Sequence, residues 1–279
     1  MSFEGTVLLV DNGSSRPQST LSLRRLAAAL GERIGREVRP VSLMHADKVP
    51  AEALGGQPAD TFEPFLRREA EAGRCHLLVL PLFFGPSRAL SEFIPAKVEA
   101  ASRDFGPVRL QVADVLCPLP GGEPRLTGIL HDNLLRRASE PGLACDRVVL
   151  VDHGSPIPEV TAVRRWLAGD LAGRLGPGAR LREAVMERRL GAEYDFNGDL
   201  LQDLLRRLAG EDSRDPVLLS MLFLFAGRHA GAGGDVEQIC RSVEREHPGF
   251  HVQQSALVSD HPAIVDILRS RYASAVGEG

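Results

Sequence analysis

Val7-Leu8-Leu9-Val10-Asp11-Asn12-Gly13-Ser14 returns later in the chain as Val148-Val149-Leu150-Val151-Asp152-His153-Gly154-Ser155, with six identities in eight positions at an offset of 141 residues. The same offset places Thr20, Arg24, Leu26, Ala27, Leu30, Arg33 and Gly35 on Thr161, Arg165, Leu167, Ala168, Leu171, Arg174 and Gly176. Further along, Leu82, Phe83 and Arg88 match Leu222, Phe223 and Arg228 at an offset of 140. A period this long, carried through most of a repeat, reads as two copies of one domain. The boundary is placed at 142/143, giving domains 1–142 and 143–279.

Each quoted stretch opens on a short, almost wholly apolar β-rich run, the signature of a strand buried on both faces of a parallel sheet. Behind the first run, Leu23, Leu26, Ala27, Leu30 and Ile34 share one helical face. Strands are then expected at Val38 to Met44, His76 to Phe84 and Val108 to Val115, with helices at Phe62 to Ala72 and Ile94 to Ser102. The second copy repeats the order: strands at Arg147 to Val151, Leu181 to Met186, Val217 to Phe225 and His251 to Leu257, and helices at Val160 to Leu175, Leu200 to Leu208 and Val236 to Glu246. A closing helix is expected at Pro262 to Tyr272. Cys117 to Glu123 reads as a loop and Ser139 to Ala144 as the linker. Such alternation predicts an α/β fold: two tandem duplicated domains, each a mostly parallel four-stranded sheet flanked by helices, with a cleft between them.

Length and composition fit this expectation. The chain has 279 residues, 43% hydrophobic and 25% charged, which excludes global disorder and fibrous classes. A formal net charge of -4 offers no basic excess for nucleic acid or an anionic membrane surface. No apolar run approaches the roughly 20 residues that span a bilayer, and the start does not read as a signal peptide. The expected location is the cytoplasm. Cys75, Cys117, Cys145 and Cys240 are scattered without a CxxC pair, as expected of reduced thiols rather than a disulfide framework or zinc-thiolate site.

In open parallel sheets, ligands bind outside the carboxyl ends of the strands. His153, Glu187 and His229 each follow a strand of the second copy. Two imidazoles and a carboxylate on one rim form a partial coordination sphere for a divalent first-row metal, with open positions. The first copy keeps the framework and carries Asn12, His45 and Ala89 at the places aligned with those three, which predicts one site rather than two. His45 by itself reads as a surface histidine.

HGS after one strand, a hydrophobic pair plus Glu after the next, and GRHAGAGGD after the third resemble the class II tetrapyrrole chelatases, in particular the long, two-domain sirohydrochlorin ferrochelatase and cobaltochelatase family. The resemblance covers residues 6 to about 272, including the closing SDHPAIVDILRSRY. It implies insertion of Fe(II) or Co(II) into sirohydrochlorin in siroheme or cobalamin synthesis, with no organic cofactor. His153 and His229 match the family's paired histidines, and Glu187 matches an acidic partner; the three are expected to hold the metal and to act in catalysis. Metallation requires loosely held ligands and a base that titrates near neutral pH, and imidazole meets both requirements.

The implied substrate carries eight carboxylates, so cationic and N–H donors are expected around it. Arg228 is expected to clamp a carboxylate. Backbone N–H groups at Gly154, Ser155 and Gly231, with Gly233 and Gly234 beside them, are expected to approach an anion. Ser14, Ser15 and Arg88 of the first copy are expected to bind carboxylates from the opposite wall. A fused pair of domains suits a monomer. A nucleotide-dependent oxidoreductase is disfavoured because no GxGxxG follows either first strand. A serine hydrolase fails because Asp152, His153 and Ser155 are too close along the chain to form a triad. The remaining alternative is a noncatalytic tetrapyrrole- or metal-binding protein derived from a chelatase.

Overall fold

The computed structural model describes residues 3–140, 143 and 145–278. In the first half, β1 (Thr6–Asp11), β2 (Val38–Ser42), β3 (His76–Pro81) and β4 (Arg109–Val112) form an all-parallel sheet in the order β2-β1-β3-β4. In the second, β5 (Arg147–Asp152), β6 (Arg180–Val185), β7 (Val217–Met221) and β8 (Val252–Gln254) repeat it as β6-β5-β7-β8. The central strands are buried along their length, as the unbroken apolar runs require.

The helices are α1 (Pro17–Ile34), α2 (Phe62–Glu71), α3 (Ile94–Phe105), α4 (Pro124–Ala138), α5 (Pro158–Leu175), α6 (Leu201–Glu211), α7 (Asp235–Glu246) and α8 (Ala263–Val276). Proline at the start of α1 and α5 has its ring where no intrahelical N–H is needed. Gly35 ends α1 in the left-handed conformation and donates its N–H to Gly31 O. Leu23, Leu26, Ala27 and Leu30 are the buried face of α1 that the spacing called for.

Helix α4 was not anticipated. Its signals are present: Glu123 accepts the Arg125 N–H as an N-cap, Pro124 follows, and Leu126, Ile129, Leu130 and Leu134 are buried at helical spacing. The compact units also divide the chain differently from the repeat. One comprises Met1–Pro118 with Pro262–Gly279, the other Leu119–His261. Each copy's last helix therefore packs within the unit built on the other copy's sheet. Asn133 of α4 reaches Ala256 O and Leu257 O at 3.3 Å, and Arg271 of α8 donates to Val115 O at 2.8 Å. The boundary expected at 142/143 borders Pro141, Gly142 and Ala144, which lie outside the described residues. Among the described residues no helix is long and apolar enough to cross a membrane.

Candidate functional site

The second unit brings His153, Glu187 and His229 together. Strand β5 ends at Asp152, so His153 is the first residue beyond the sheet; Glu187 lies just past β6, and His229 on the loop between β7 and α7. Met186 N donates to Asp152 O at 2.8 Å and Glu187 N to His153 O at 3.1 Å, extending the β5–β6 pairing into the loops. Gly154 makes this approach possible: its φ is 91°, and a Cβ there would lie 2.0 Å from Glu187 O.

The two imidazole rings meet edge to face, with centroids 4.7 Å apart. His153 Nδ1 lies 3.0 Å from Gly154 O, and His229 Nδ1 lies 2.6 Å from Asp235 Oδ2. Both partners are acceptors, so each Nδ1 carries the hydrogen and donates it. His153 Nε2 is 3.3 Å from Glu187 Oε1. The side chains of His153 and Glu187 are about half exposed or more, and that of His229 is one-third exposed, so the group is open to solvent. Among the described residues no three His, Cys, Asp or Glu side chains converge as a ready-made metal-holding group. The histidine and carboxylate donors here face one another instead.

Beneath the histidines sits a buried charge pair. Asp152 Oδ1 accepts the Gly154 N–H at 3.0 Å and an Arg164 Nη1–H at 2.9 Å, while Arg164 Nε donates to Glu183 at 3.0 Å. Burial raises the pKa of Asp152, and Arg164 and the Gly154 N–H oppose that rise.

Two expectations need correction. The backbone donors nominated for an anion are already occupied: Gly154 N–H by Asp152, Ser155 N–H by Asn197 Oδ1 at 3.0 Å, Gly231 N–H by Gly227 O at 3.0 Å, Gly233 N–H by Glu237 and Gly234 N–H by Gly231 O. Folding spends these amides on holding the turns. The counterpart of Glu187 is also Met44 rather than His45. Met44 N donates to Asn12 O just as Glu187 N does to His153 O, and a Cβ on Gly13 would strike Met44 O. His45 stands one place later, with φ 68° and its Nδ1 3.4 Å from Lys48 Nζ.

Arg228 is exposed, its Nε 3.7 Å from Asp235 Oδ2. Ser155 Oγ accepts the Ile157 N–H, and its own O–H is a donor. Ser14 and Arg88 belong to the other unit, where Ser14 Oγ accepts the Arg16 N–H and Arg88 lies 3.9 Å from Glu92. Asp235 went unrecognised as a partner of His229, although it closes the GRHAGAGGD motif and begins α7.

The family described as CbiX matches residues 6–136 and 147–275. No curated protein matches the chain. Among solved structures, "SirB from Bacillus subtilis with Fe3+" is similar with a TM-score of 0.69 and 16% identity, covering 99% of this chain and 97% of that one. CbiX, the terminal enzyme for biosynthesis of siroheme in denitrifying bacteria, gives 0.63 and 19%, covering 97% of this chain and 99% of that one. DR2241 from Deinococcus radiodurans, a multi-domain protein with structural similarity to chelatases, gives 0.59 and 16%, covering 96% of this chain and 54% of that one. At these identities the likeness is one of fold.

Proposed function

Because the chain belongs to the CbiX family, we propose that it is a class II chelatase that inserts Fe(II) or Co(II) into sirohydrochlorin, serving siroheme or cobalamin synthesis in the cytoplasm. The observation that carries this reading is the pair of imidazoles 4.7 Å apart, each with its Nδ1 tied to an acceptor, beside a carboxylate on the same rim. Similarity to SirB, whose structure holds iron, and to CbiX, the terminal enzyme of siroheme biosynthesis in denitrifying bacteria, supports it.

In this reading His153, His229 and Glu187 hold the entering cation and take part in catalysis. The two Nε2 atoms, when unprotonated, are nitrogen donors suited to a borderline cation, and Glu187 adds an oxygen once it turns from His153. Insertion forms four bonds from ring nitrogens to the metal and releases two N–H protons, with no change in oxidation state. The imidazoles and Glu187 accept those protons as the cation passes from protein to ring. Thiolates would hold the cation too firmly. Arg228 and the Ser155 hydroxyl are the proposed carboxylate partners.

Anaerobic mixing with sirohydrochlorin and either cation should shift the pigment's absorption faster than the uncatalysed control. His153→Ala or His229→Ala should remove the acceleration while leaving the fold intact. Stoichiometric pigment binding without acceleration would refute the enzyme and leave a tetrapyrrole-binding protein; undiminished rates in both variants would refute the histidine assignment.

A further inference from the structure

Asn197 is fully buried and uses every hydrogen-bonding position of its side chain. Its Oδ1 accepts the Ser155 N–H at 3.0 Å and the Thr161 hydroxyl at 3.4 Å; its Nδ2 donates to Ser155 O at 2.9 Å and to Tyr194 O at 3.0 Å. Its own carbonyl accepts an Arg164 Nη2–H at 2.6 Å. One side chain thus grips both the N–H and the carbonyl of Ser155, two residues beyond His153, and ties them to the segment that follows Glu187.

On the other side of His153, Asp152 fixes the Gly154 N–H and is itself held by Arg164. The backbone carrying His153 is therefore pinned before and after the ring. The first unit supplies the contrast. It keeps the Asp-Asn-Gly-Ser turn but has Leu23 at the place of Arg164, an unpartnered Asp11 Oδ1, and no histidine at the turn. The guanidinium and the histidine are absent together.

We infer that Asn197 is a positioning residue that sets the His153 ring against His229 and couples the histidine turn to the loop bearing Glu187. Its service to metal insertion rests on the function proposed above; the ring placement itself does not. Side chains that orient ligands from behind matter because a donor displaced by an ångström no longer meets its target.

The test is a histidine-labelled NMR measurement on the full chain without added metal. The parent should show a cross-peak between the His153 and His229 rings. Asn197→Ala should lose it, whereas Leu208→Ala should keep it, because Leu208 is buried near the start of β5 and its carbonyl accepts from Arg147. A cross-peak that survives in Asn197→Ala, disappears equally in Leu208→Ala, or is missing from the parent would overturn the inference. Should Asn197→Ala not fold, Asn197→Ser, which retains one hydroxyl, decides on the same criterion with a weakened cross-peak expected. Failure of the chelatase reading would show instead as a parent that does not accelerate metallation.

Discussion

Replacing Asp11 by Asn should remove most of the pH dependence of the first unit's stability between pH 4 and pH 8. Asp11 ends β1 as Asp152 ends β5, and both are buried, but only Asp152 has a guanidinium against it. At Asp11 the Ser42 hydroxyl and the Gly13 N–H are the compensating donors, Oδ1 has no partner, and burial pushes the carboxyl up from 3.8 to about 6. A folded-state value above the unfolded one means that the folded protein keeps a proton the unfolded chain has released. The favourable contribution is complete below about 3.8 and is lost as pH rises through about 6. At 1.36 kcal/mol per pH unit, the ionised carboxylate costs the folded unit ~3 kcal/mol at pH 8. Asn carries no charge, so the advantage of Asp11→Asn over the parent should grow by about 2.4 kcal/mol between pH 4 and pH 8. Urea unfolding followed by far-UV circular dichroism across that range measures the difference directly, with Trp166 fluorescence as a separate reporter of the second unit. Parallel pH profiles for parent and variant would refute the assignment of this titration to Asp11.

Gly154→Ala combines a left-handed φ, worth about 1–2 kcal/mol for a residue with a Cβ, with the clash against Glu187 O. It should abolish metallation, and a fully active variant in the absorption assay would show that the His153 and Glu187 loops need not meet. Asp235→Ala frees His229 Nδ1 and should cut metallation about 10- to 100-fold, the usual cost of losing such a partner, with little change in thermal midpoint; equal rates would deny Asp235 that role. Arg164→Met leaves buried Asp152 and partly buried Glu183 without their cation and should cost about 3–5 kcal/mol. Trp166 fluorescence in urea reads this, and a shift below 1 kcal/mol would mean that the pair is not a buried ion pair in solution.

Much of the fold was legible because its signals are local. Four-to-six-residue apolar runs cannot be satisfied except by burial on both faces, and their recurrence exposed the duplication. His153 was legible for the same reason, since a ligand-type residue directly after such a run must stand at a strand's carboxyl end, whereas His229 lies eight residues past β7 and was legible from the GRHAGAGGD stretch. Helix α4 lies between the Pro-Gly-rich stretch and the linker, and no element was assigned to its residues although Glu123, Pro124 and the leucine spacing carry its signal. The Met44 equivalence was hidden because loop alignment is weak in sequence, and the backbone pairing between Glu187 and His153, mirrored by Met44 and Asn12, sets the register instead.

By itself, the sequence determined a duplicated parallel α/β chain with its paired histidines in the second copy, since strand burial and strand-end placement follow from neighbouring residues. Tertiary structure alone decided which groups remain free to act. The Ser155 N–H is spent on Asn197, 42 residues away, and the Gly154 N–H on a carboxylate whose charge Arg164 balances from another element. It also decided that α4 and α8 pack within units built on the other copy's sheet. A hydrogen-bond donor has one position to offer, and whether the fold or a ligand takes it depends on contacts that only the folded chain brings together.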